Sequence, residues 1–394
     1  MRDTLLVVNA GSSSLKFQVY EIGGSALGLF CRGQISGIGG ERPRFRVDDR
    51  HGKCVLDRSI DSAQMGQLHD AQQVIADWLR TVLDAAPRAV GHRIVHGGAH
   101  FTGSVVVDDD ILRRLADLES LAPLHQHNNL APIRVIREQW PDMPQVACFD
   151  TAFHRTNSNV VQRFALPESF YENGVLRYGF HGISYEYIAQ YLARELPHVA
   201  KGRVIVAHLG SGASACAMRG GRSLASTMGF TALDGLPMST RPGSLDAGVV
   251  LWMQGQGMQH DEIEHVLYSE SGLKGLSGIS GDVRDLLASS APSAAMALDY
   301  FAFRVAESLA GLCVATQGVD AIVFTAGVGE NAAPVRAAII KYLSWLGIEL
   351  DPALNARSAR EISASHSGVR VYVVPTNEGW VIAQQTAELL ALAD

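Results

Sequence analysis

Cysteine is scarce in this sequence, with five residues in a chain of 394. They are scattered, odd in number, and no two have the C-x-x-C spacing of a metal or redox motif. We therefore expect neither a disulfide framework nor a zinc site, and a reducing cytoplasm is the expected compartment. The five are Cys31, Cys54, Cys148, Cys216 and Cys313.

Long apolar runs and excess positive charge are also missing. No run approaches the ~20 residues that span a bilayer, and the apolar segment 5–8 is too short for the core of a secretory signal. The formal net charge is -7, which argues against nucleic acid or an anionic membrane as a partner. The sequence also lacks the Walker A and H-R-D kinase motifs, so an enzyme that handles phosphate here must use another fold.

The segment LLVVNAGSSSLKFQVY, residues 5–20, predicts a hairpin with a polar tip. Residues 5–8 indicate a buried strand, and 15–20 alternate as a half-buried return strand does. The tip offers backbone N–H groups and three serine hydroxyls, with Lys16 just beyond. Such a set of donors suits an anionic phosphate, and a plain Ser/Gly turn is the alternative.

A second copy of this pattern occurs 199 residues later, at residues 204–219, VIVAHLGSGASACAMR. A length of 394 residues fits two domains better than one core. We therefore expect a duplicated fold, with domains 1–150 and 151–375 and a closing helix at 376–394 on the first. The matching pairs are Val7 and Val206, Gly11 and Gly210, and Ser12 and Ser211.

Apolar periodicity predicts helices between glycine-rich segments. Residues 21–50 are rich in glycine and charge, which predicts short strands and turns, and 235–246 and 272–284 are expected to be loops. Helices are expected at 71–83, 130–139, 185–195, 248–254, 296–314, 335–346 and 380–392.

Arg93 lies in an apolar strand context, GHRIVHGG. An unpaired guanidinium there would be costly, so either an ion pair with a core carboxylate or a fork for a carboxylate or phosphate ligand is expected. Strand geometry places His92 and His96 about 13 Å apart, at ~3.3 Å per residue, which is too far to share a metal ion.

Two other segments carry candidate chemistry. Asp150 follows the predicted buried strand 145–149, where ligands bind in open α/β sheets, although a helix N-cap is the alternative. Residues 327–332 match G-x-G-x-x-A, with Glu349 22 residues after Gly327. They allow three interpretations: a dinucleotide fingerprint, a tight strand-to-helix turn, or a loop beneath a nucleotide.

Taken together, these features favour phosphoryl transfer over hydride transfer. Phosphoryl transfer needs backbone N–H groups that bind phosphate, cations that stabilise the phosphoryl oxygens, and carboxylates. The sequence offers the two hairpin tips, the arginines Arg93 and Arg241, and the carboxylates Asp150 and Glu378. The oxidoreductase alternative depends on one motif. A non-catalytic nucleotide sensor is the alternative from another class.

Ten segments in order resemble the acetate kinase family of short-chain carboxylate kinases, and they extend over nearly the whole chain. They are VNAGSSSLK at 8–16, GHRIVHGG at 91–98, APLH at 122–125, FDTAFH at 149–154, RYGFHG at 177–182, HLGSGAS at 208–214, TRPG at 240–243, GISGDVRDL at 278–286, FTAGVGEN at 324–331 and PTNE at 375–378.

The resemblance implies an α/β fold of two duplicated actin/hexokinase/Hsp70-type (ribonuclease H-like) domains with a cleft between them, the second of which binds nucleotide. It implies a homodimer and the reaction ATP + acetate ⇌ ADP + acetyl phosphate, with Mg²⁺, or Mn²⁺ in its place. Propionate kinase and a variant that uses another phosphoryl donor, such as pyrophosphate, are the alternatives within the enzymes.

The resemblance also assigns roles by motif position. The implied catalytic residues are Asp150, Arg93, Arg241 and His181. The implied metal-associated residues are Asn9 and Glu378. The acyl substrate is implied to meet Arg93, Val95, Leu124, Phe180 and Ala232. The implied nucleotide and phosphate contacts are Asn9, Ser12, Ser14, Lys16, His208, Gly210, Ser211, Gly212, Asp282, Val283, Arg284, Gly327, Gly329 and Asn331.

Several positions depart from the family pattern. Ser211 replaces an Asn, Ala232 a Pro of the acyl pocket, and Val283 an aromatic residue beside the adenine. These three bear on the acid and the phosphoryl donor that the protein prefers. The remaining departures are Ser239 for Gly, Ser244 for Asp and Ala247 for Pro.

Overall fold

A computed structural model describes residues 3–11, 13–23, 26–119 and 126–392. The chain divides into two compact units. The first comprises Met1–Phe153 and Asn377–Asp394, and the second comprises His154–Thr376. Within the described ranges, no helix is long and apolar enough to cross a membrane.

The first unit is built on a mixed sheet whose described strands run in the order β5-β4-β3-β2-β1-β6-β8-β7. Strands β1, β6 and β8 are parallel neighbours, and the pairs from β1 out to β5 are antiparallel. The strands are β1 (Thr4–Ala10), β2 (Ser14–Gly23), β3 (Ala26–Ser36), β4 (Arg44–Asp49), β5 (Cys54–Ser59), β6 (Ala89–Ile94), β7 (Val105–Val106) and β8 (Gln145–Phe149).

Helices cover this sheet because each has an apolar face to bury. α1 buries Leu68, Ala71, Ile75 and Leu79 in the main core of the unit. α16 packs closely on β6, since a Cβ on Gly91 would lie 2.4 Å from Thr386 Oγ1. The helices are α1 (Leu68–Val82), α2 (Asp109–Ala116), α3 (Gln126–Gln139) and α16 (Glu378–Leu389).

The second unit contains a sheet whose described strands run in the order β11-β10-β9-β12-β13. Strands β9 to β11 pair antiparallel, whereas β9, β12 and β13 are parallel neighbours. The strands are β9 (Arg203–Leu209), β10 (Ala213–Arg219), β11 (Arg222–Ser226), β12 (Ala321–Thr325) and β13 (Arg370–Val373).

The helices of the second unit vary from one turn to 25 residues, and the longest, α12, packs on β9, β10 and β11. They are α4 (Asn159–Gln162), α5 (Glu168–Glu172), α6 (Gly182–Glu195), α7 (Pro197–Ala200), α8 (Ala247–Gly255), α9 (His260–His265), α10 (Gly272–Ser277), α11 (Val283–Ala288), α12 (Pro292–Thr316), α13 (Ala326–Asn331), α14 (Ala333–Tyr342) and α15 (Pro352–Ala356).

The two sheets share one topology, which confirms the duplication expected from the two hairpins. The order β3-β2-β1-β6-β8 in the first unit corresponds to β11-β10-β9-β12-β13 in the second. In each sheet, a hairpin of two strands is followed by a third antiparallel strand. The first strand of the hairpin, β1 or β9, also pairs in parallel with a later strand, β6 or β12. Each predicted polar tip therefore lies at the same topological position.

Two local expectations were wrong. Residues 21–50 contain the end of β2, the 11-residue strand β3, a turn and the short strand β4, so the expectation of short strands and turns was wrong only for β3. Gly33 serves packing, because a Cβ there would lie 2.5 Å from the Phe17 ring. The expected loop 272–284 contains α10 and the start of α11.

Candidate active site

The tip of the first hairpin is closed by its own backbone. The N–H of Gly11 donates to the Ser14 carbonyl at 2.8 Å. Asn9 and Lys16 are directly paired across β1 and β2. Ser12, the middle residue of the predicted phosphate loop, lies outside the described residues.

Arg93 and Asp150 lie at the carboxyl ends of the neighbouring strands β6 and β8 and form a bidentate ion pair. Arg93 Nε donates to Asp150 Oδ1 at 3.1 Å, and Nη2 donates to Oδ2 at 2.6 Å. Arg93 Nη1 donates to Asn9 Oδ1 at 3.3 Å. The structure thus brings three predicted site residues together. The Asp150 side chain is 1% exposed and that of Arg93 is 19% exposed.

The charge on Arg93 is balanced by two carboxylates. Burial opposes this charge, yet the pKa of the guanidinium is raised above its usual value, because Asp150 and then Glu378 favour the protonated form. The bonds to Asp150 and Asn9 use three of the five N–H donors of an arginine. The sequence left two roles open for Arg93, an ion pair with a core carboxylate and a fork for a ligand. The geometry allows Arg93 to have both roles at once.

Glu378 is the first residue of α16, and the start of this helix is fixed against β2. Asn377 caps the helix, with its side chain accepting from the Trp380 N–H at 3.2 Å. A Cβ on Gly379 would lie 2.0 Å from Gln18 Oε1, so a larger residue here would displace the Gln18 side chain. The cap and the contact with β2 therefore fix the start of the helix that carries Glu378, whose carboxylate lies close enough to Arg93 to raise the pKa of the guanidinium.

The oxygen donors of Asn9 and Glu378 fit Mg²⁺, which prefers oxygen ligands and is held in many enzymes by one or two carboxylates together with substrate phosphates. The three-residue metal-ligand cluster found in the described part of the chain lies elsewhere, at His260, Asp261 and Glu264 on α9, with two of its members exposed. His92 and His96 are buried, and His92 Nε2 lies 2.8 Å from Gln145 Oε1.

In the second unit, His181 and His208 stack face to face. Their ring centroids lie 4.2 Å apart with an interplanar angle of 14°. His181 Nδ1 lies 2.8 Å from Ser214 Oγ, and His208 Nδ1 lies 2.8 Å from Ser184 Oγ. His181 has a left-handed backbone (φ 57°) at the N-cap of α6, which turns its side chain out of the helix.

Arg241 and His181 converge on the tip of the second hairpin. A Cβ on Gly212 would lie 3.3 Å from His181 Nε2 and 3.4 Å from Arg241 Nη2. A Cβ on Gly210 would lie 3.9 Å from His208 Nε2. Arg241 Nη1 donates to the Ala232 carbonyl at 2.9 Å, which orients the guanidinium. Ser211 is exposed at this tip.

The residues predicted for the acyl pocket are divided between the two units. Val95 is buried in the first unit, and its N–H donates to Asn129 Oδ1 at 2.9 Å. Phe180 is buried in the second unit, and its carbonyl lies 2.9 Å from His154 Nε2. Ala232 is half-buried in the second unit, and Leu124 lies outside the described residues.

The segment predicted beside the nucleotide base contains one buried, one half-buried and one exposed residue. Val283 is buried at the start of α11. Asp282 caps that helix by accepting from the Arg284 N–H at 2.8 Å. Arg284 also pairs with Asp282 at 2.5 Å and its side chain is 89% exposed.

Residues 327–331 form the short helix α13 directly after β12, rather than an open glycine loop. Gly327 and Asn331 are exposed, and Gly329 is buried. Sequence reasoning missed Arg336, which is 0% exposed and donates to the Gly329 carbonyl at 2.9 Å. An arginine within the apolar segment PVRAAII was the available signal.

This chain is similar to known proteins over nearly its whole length. The model of the acetokinase family matches residues 4–384. An acetate kinase of Nitrobacter hamburgensis is 53% identical over 390 residues, covering 98% of this chain and 96% of that protein. An acetate kinase of Rhizobium meliloti is 51% identical over 390 residues and covers 99% of each.

Two solved structures have the same fold. A propionate kinase from Francisella tularensis matches with a TM-score of 0.91 and 34% identity, over 98% of this chain and 100% of that one. The acetate kinase of Porphyromonas gingivalis matches with a TM-score of 0.86 and 33% identity, over the same shares. The chain described here belongs to the acetokinase family.

Proposed function

We propose that this protein is an acetate kinase that catalyses ATP + acetate ⇌ ADP + acetyl phosphate. It is a phosphotransferase with a carboxyl group as acceptor, as its family and its relatives indicate. The observation that carries the proposal is the convergence of His181 Nε2 and Arg241 Nη2 on one position beside Gly212. Two side-chain donors at one point suit an oxygen of a transferring phosphoryl group.

In this proposal the second unit binds the phosphoryl group. The hairpin tip at Gly210–Gly212 lets a phosphate approach the backbone closely because it has no Cβ at either glycine. Arg241 supplies a fixed positive charge, held by the Ala232 carbonyl. His181 supplies a hydrogen bond, so that both groups stabilise charge that spreads over the phosphoryl oxygens.

The first unit binds the acid. Acetate is already ionised at neutral pH, so the attacking oxygen needs no general base. Asp150 therefore acts by orienting the Arg93 fork, since both of its oxygens accept from Arg93. The two N–H donors that the described bonds leave on Arg93 match the two oxygens of a carboxylate.

Asn9 and Glu378 are the residues that we assign to Mg²⁺, with Mn²⁺ as a possible substitute. When bound, the ion would neutralise charge on the phosphates and help to orient them. Glu378 also favours the charged form of Arg93.

Propionate is the competing acid. Ala232 is smaller than the proline of the family pattern, which leaves room for one more methyl group beside the acid. A propionate kinase has a similar fold, so propionate has to be tested as a substrate beside acetate.

We assign the catalytic domains to residues 1–150 with 376–394, and to residues 151–375.

We also propose that the protein is a homodimer in the cytoplasm. The second unit exposes large apolar side chains, which a partner surface would cover. They include Leu251 (67%), Trp252 (63%), Val314 (81%) and Trp345 (71%). Sedimentation equilibrium tests the dimer, and a monomer at micromolar concentration would contradict it.

One panel of initial rates tests the function. The acid is acetate, propionate or butyrate, and the phosphoryl donor is ATP, GTP or pyrophosphate. The acyl phosphate that forms is trapped and measured as its hydroxamate. We expect ATP with acetate to give the highest kcat/KM. A protein that is fast with pyrophosphate and nearly silent with ATP would overturn the donor, and a preference for propionate would overturn the acid.

A further inference from the structure

Two buried hydroxyl groups hold the far side of the His181 ring. His181 Nδ1 lies 2.8 Å from Ser214 Oγ, which lies 2.5 Å from the Tyr185 hydroxyl. Ser214 and Tyr185 are both 0% exposed. The N–H of Tyr185 also donates to the His181 carbonyl at 3.1 Å, so the first turn of α6 fixes the spacing.

The direction of each hydrogen bond follows from the protons available. Burial raises the pKa of Tyr185 well above its usual value, so this phenol keeps its proton at neutral pH. The phenol is a better hydrogen-bond donor than the aliphatic hydroxyl of Ser214, and the two oxygens lie only 2.5 Å apart. The phenolic proton is then directed to Ser214 Oγ.

Ser214 can rotate its hydroxyl to donate or to accept. Because its oxygen receives the proton of Tyr185, its own proton is directed to His181 Nδ1. A ring nitrogen that accepts a hydrogen bond carries no proton, so a neutral His181 has its proton on Nε2.

We propose that Tyr185 and Ser214 are positioning residues that hold His181 in the neutral form with the proton on Nε2. The kinetic part of this inference rests on the proposed phosphoryl transfer. Nε2 is the atom that faces the position beside Gly212, 3.3 Å from a Cβ built there. With the other tautomer, Nε2 would present a lone pair to a phosphoryl oxygen and repel it.

The surroundings of His181 also disfavour a charged ring. The His208 ring stacks on it at 4.2 Å, and two imidazolium rings so placed would repel each other. The guanidinium of Arg241 faces the same position beside Gly212. Among the described residues, the titratable side chains placed against His181 by these contacts are His208, Tyr185 and Arg241.

The test combines the tautomer with the kinetics. Ring ¹⁵N shifts of the histidine-labelled protein report the protonated nitrogen, and the spectrum of His181→Asn assigns the signal. We expect Nε2–H in the parent at pH 7.5. Tyr185→Phe leaves Ser214 able to accept from Nδ1–H, so the signal should move toward the other tautomer.

In the same variant kcat should fall about tenfold, the value of one hydrogen bond lost in the transition state, while both KM values stay within about twofold. Ser214→Ala should lower kcat similarly, and Ser214→Thr, which keeps a hydroxyl, should recover most of it. Tyr178→Phe is the matched control, because its buried hydroxyl donates to the Gly174 carbonyl and not to Ser214. It should leave the tautomer and kcat unchanged.

A parent with Nδ1–H or a charged His181 at pH 7.5 would overturn the inference, whatever the activity. So would a Tyr185→Phe variant with the parental tautomer and kcat. An Nε2–H signal in a protein that makes no acyl phosphate would support the positioning network and refute the proposed function.

Discussion

Gly212→Ala places a methyl group where the proposed phosphoryl oxygen is bound. The new Cβ would lie 3.3 Å from His181 Nε2 and 3.4 Å from Arg241 Nη2. An oxygen that accepts from both nitrogens needs distances of about 2.7–3.2 Å, so the methyl group and the oxygen cannot share the position. The backbone of Gly212 does not have a positive φ, so alanine brings no strain of that kind.

The magnitude follows from the two bonds lost. A hydrogen bond to a charged group contributes about 1.5–3 kcal/mol, so losing both raises the barrier by about 3–6 kcal/mol. At about 1.4 kcal/mol per tenfold, kcat should fall on the order of 10²- to 10⁴-fold. Folding should survive, because the contacts are to side-chain ends that can shift by a few tenths of an ångström.

The assay is kcat for acyl hydroxamate formation from ATP and acetate, with the melting temperature as a check of folding. Gly311→Ala on α12 is the matched control, since a Cβ there meets nothing within 4 Å. It should keep full activity and gain slightly in stability. A folded Gly212→Ala variant with kcat within threefold of the parent would refute the proposed position of the phosphoryl group.

Four further changes test other parts of the account. Arg241→Lys keeps the charge but loses the planar fork, so turnover should fall at least ~10²-fold; near-normal turnover in a folded variant removes Arg241 from the site. Glu378→Ala should raise the Mg²⁺ concentration for half-activity, and an unchanged requirement refutes the metal assignment. Ser211→Asn adds a side-chain N–H donor, so turnover with ATP should rise about 10- to 100-fold with little change in the acetate KM. An unchanged turnover would show that serine at this position does not slow the enzyme. Burial lowers the pKa of His92 and of His154 to about 4, so both stay neutral when folded and protonate when unfolded. The free energy of unfolding should therefore fall as pH drops from about 6.5 to 4, by up to about 3 kcal/mol for each, and His92→Gln should weaken this dependence in urea titrations; an unchanged slope contradicts the assignment.

The duplicated sheets could be predicted because their signal is local. Each hairpin has an apolar strand, a Gly/Ser tip and an alternating return strand, and period-2 alternation specifies which face is buried. The helices at the predicted positions followed equally from apolar spacing. Boundaries were less certain: α3 begins at Gln126, before the expected 130, although Pro132 lies inside it.

Features that depend on distant contacts could not be predicted. Gly33 lies in a stretch for which short strands and turns were expected, and only the Phe17 ring above it shows why a side chain is excluded there. Asp150 and Arg93 were each singled out, but their pairing needed the register of β6 and β8. Ser214 lies on β10, far in sequence from His181, so nothing in the pattern linked them.

The central claim is that phosphoryl transfer from ATP to acetate occurs on this protein, and ³¹P NMR of the reaction mixture tests it directly. The purified protein is incubated with ATP, Mg²⁺ and acetate, and the spectrum is recorded with time. We predict that acetyl phosphate and ADP appear together in equal amounts and only when acetate is present. Inorganic phosphate released at the same rate without acetate, or no change in the ATP signals, would contradict the account.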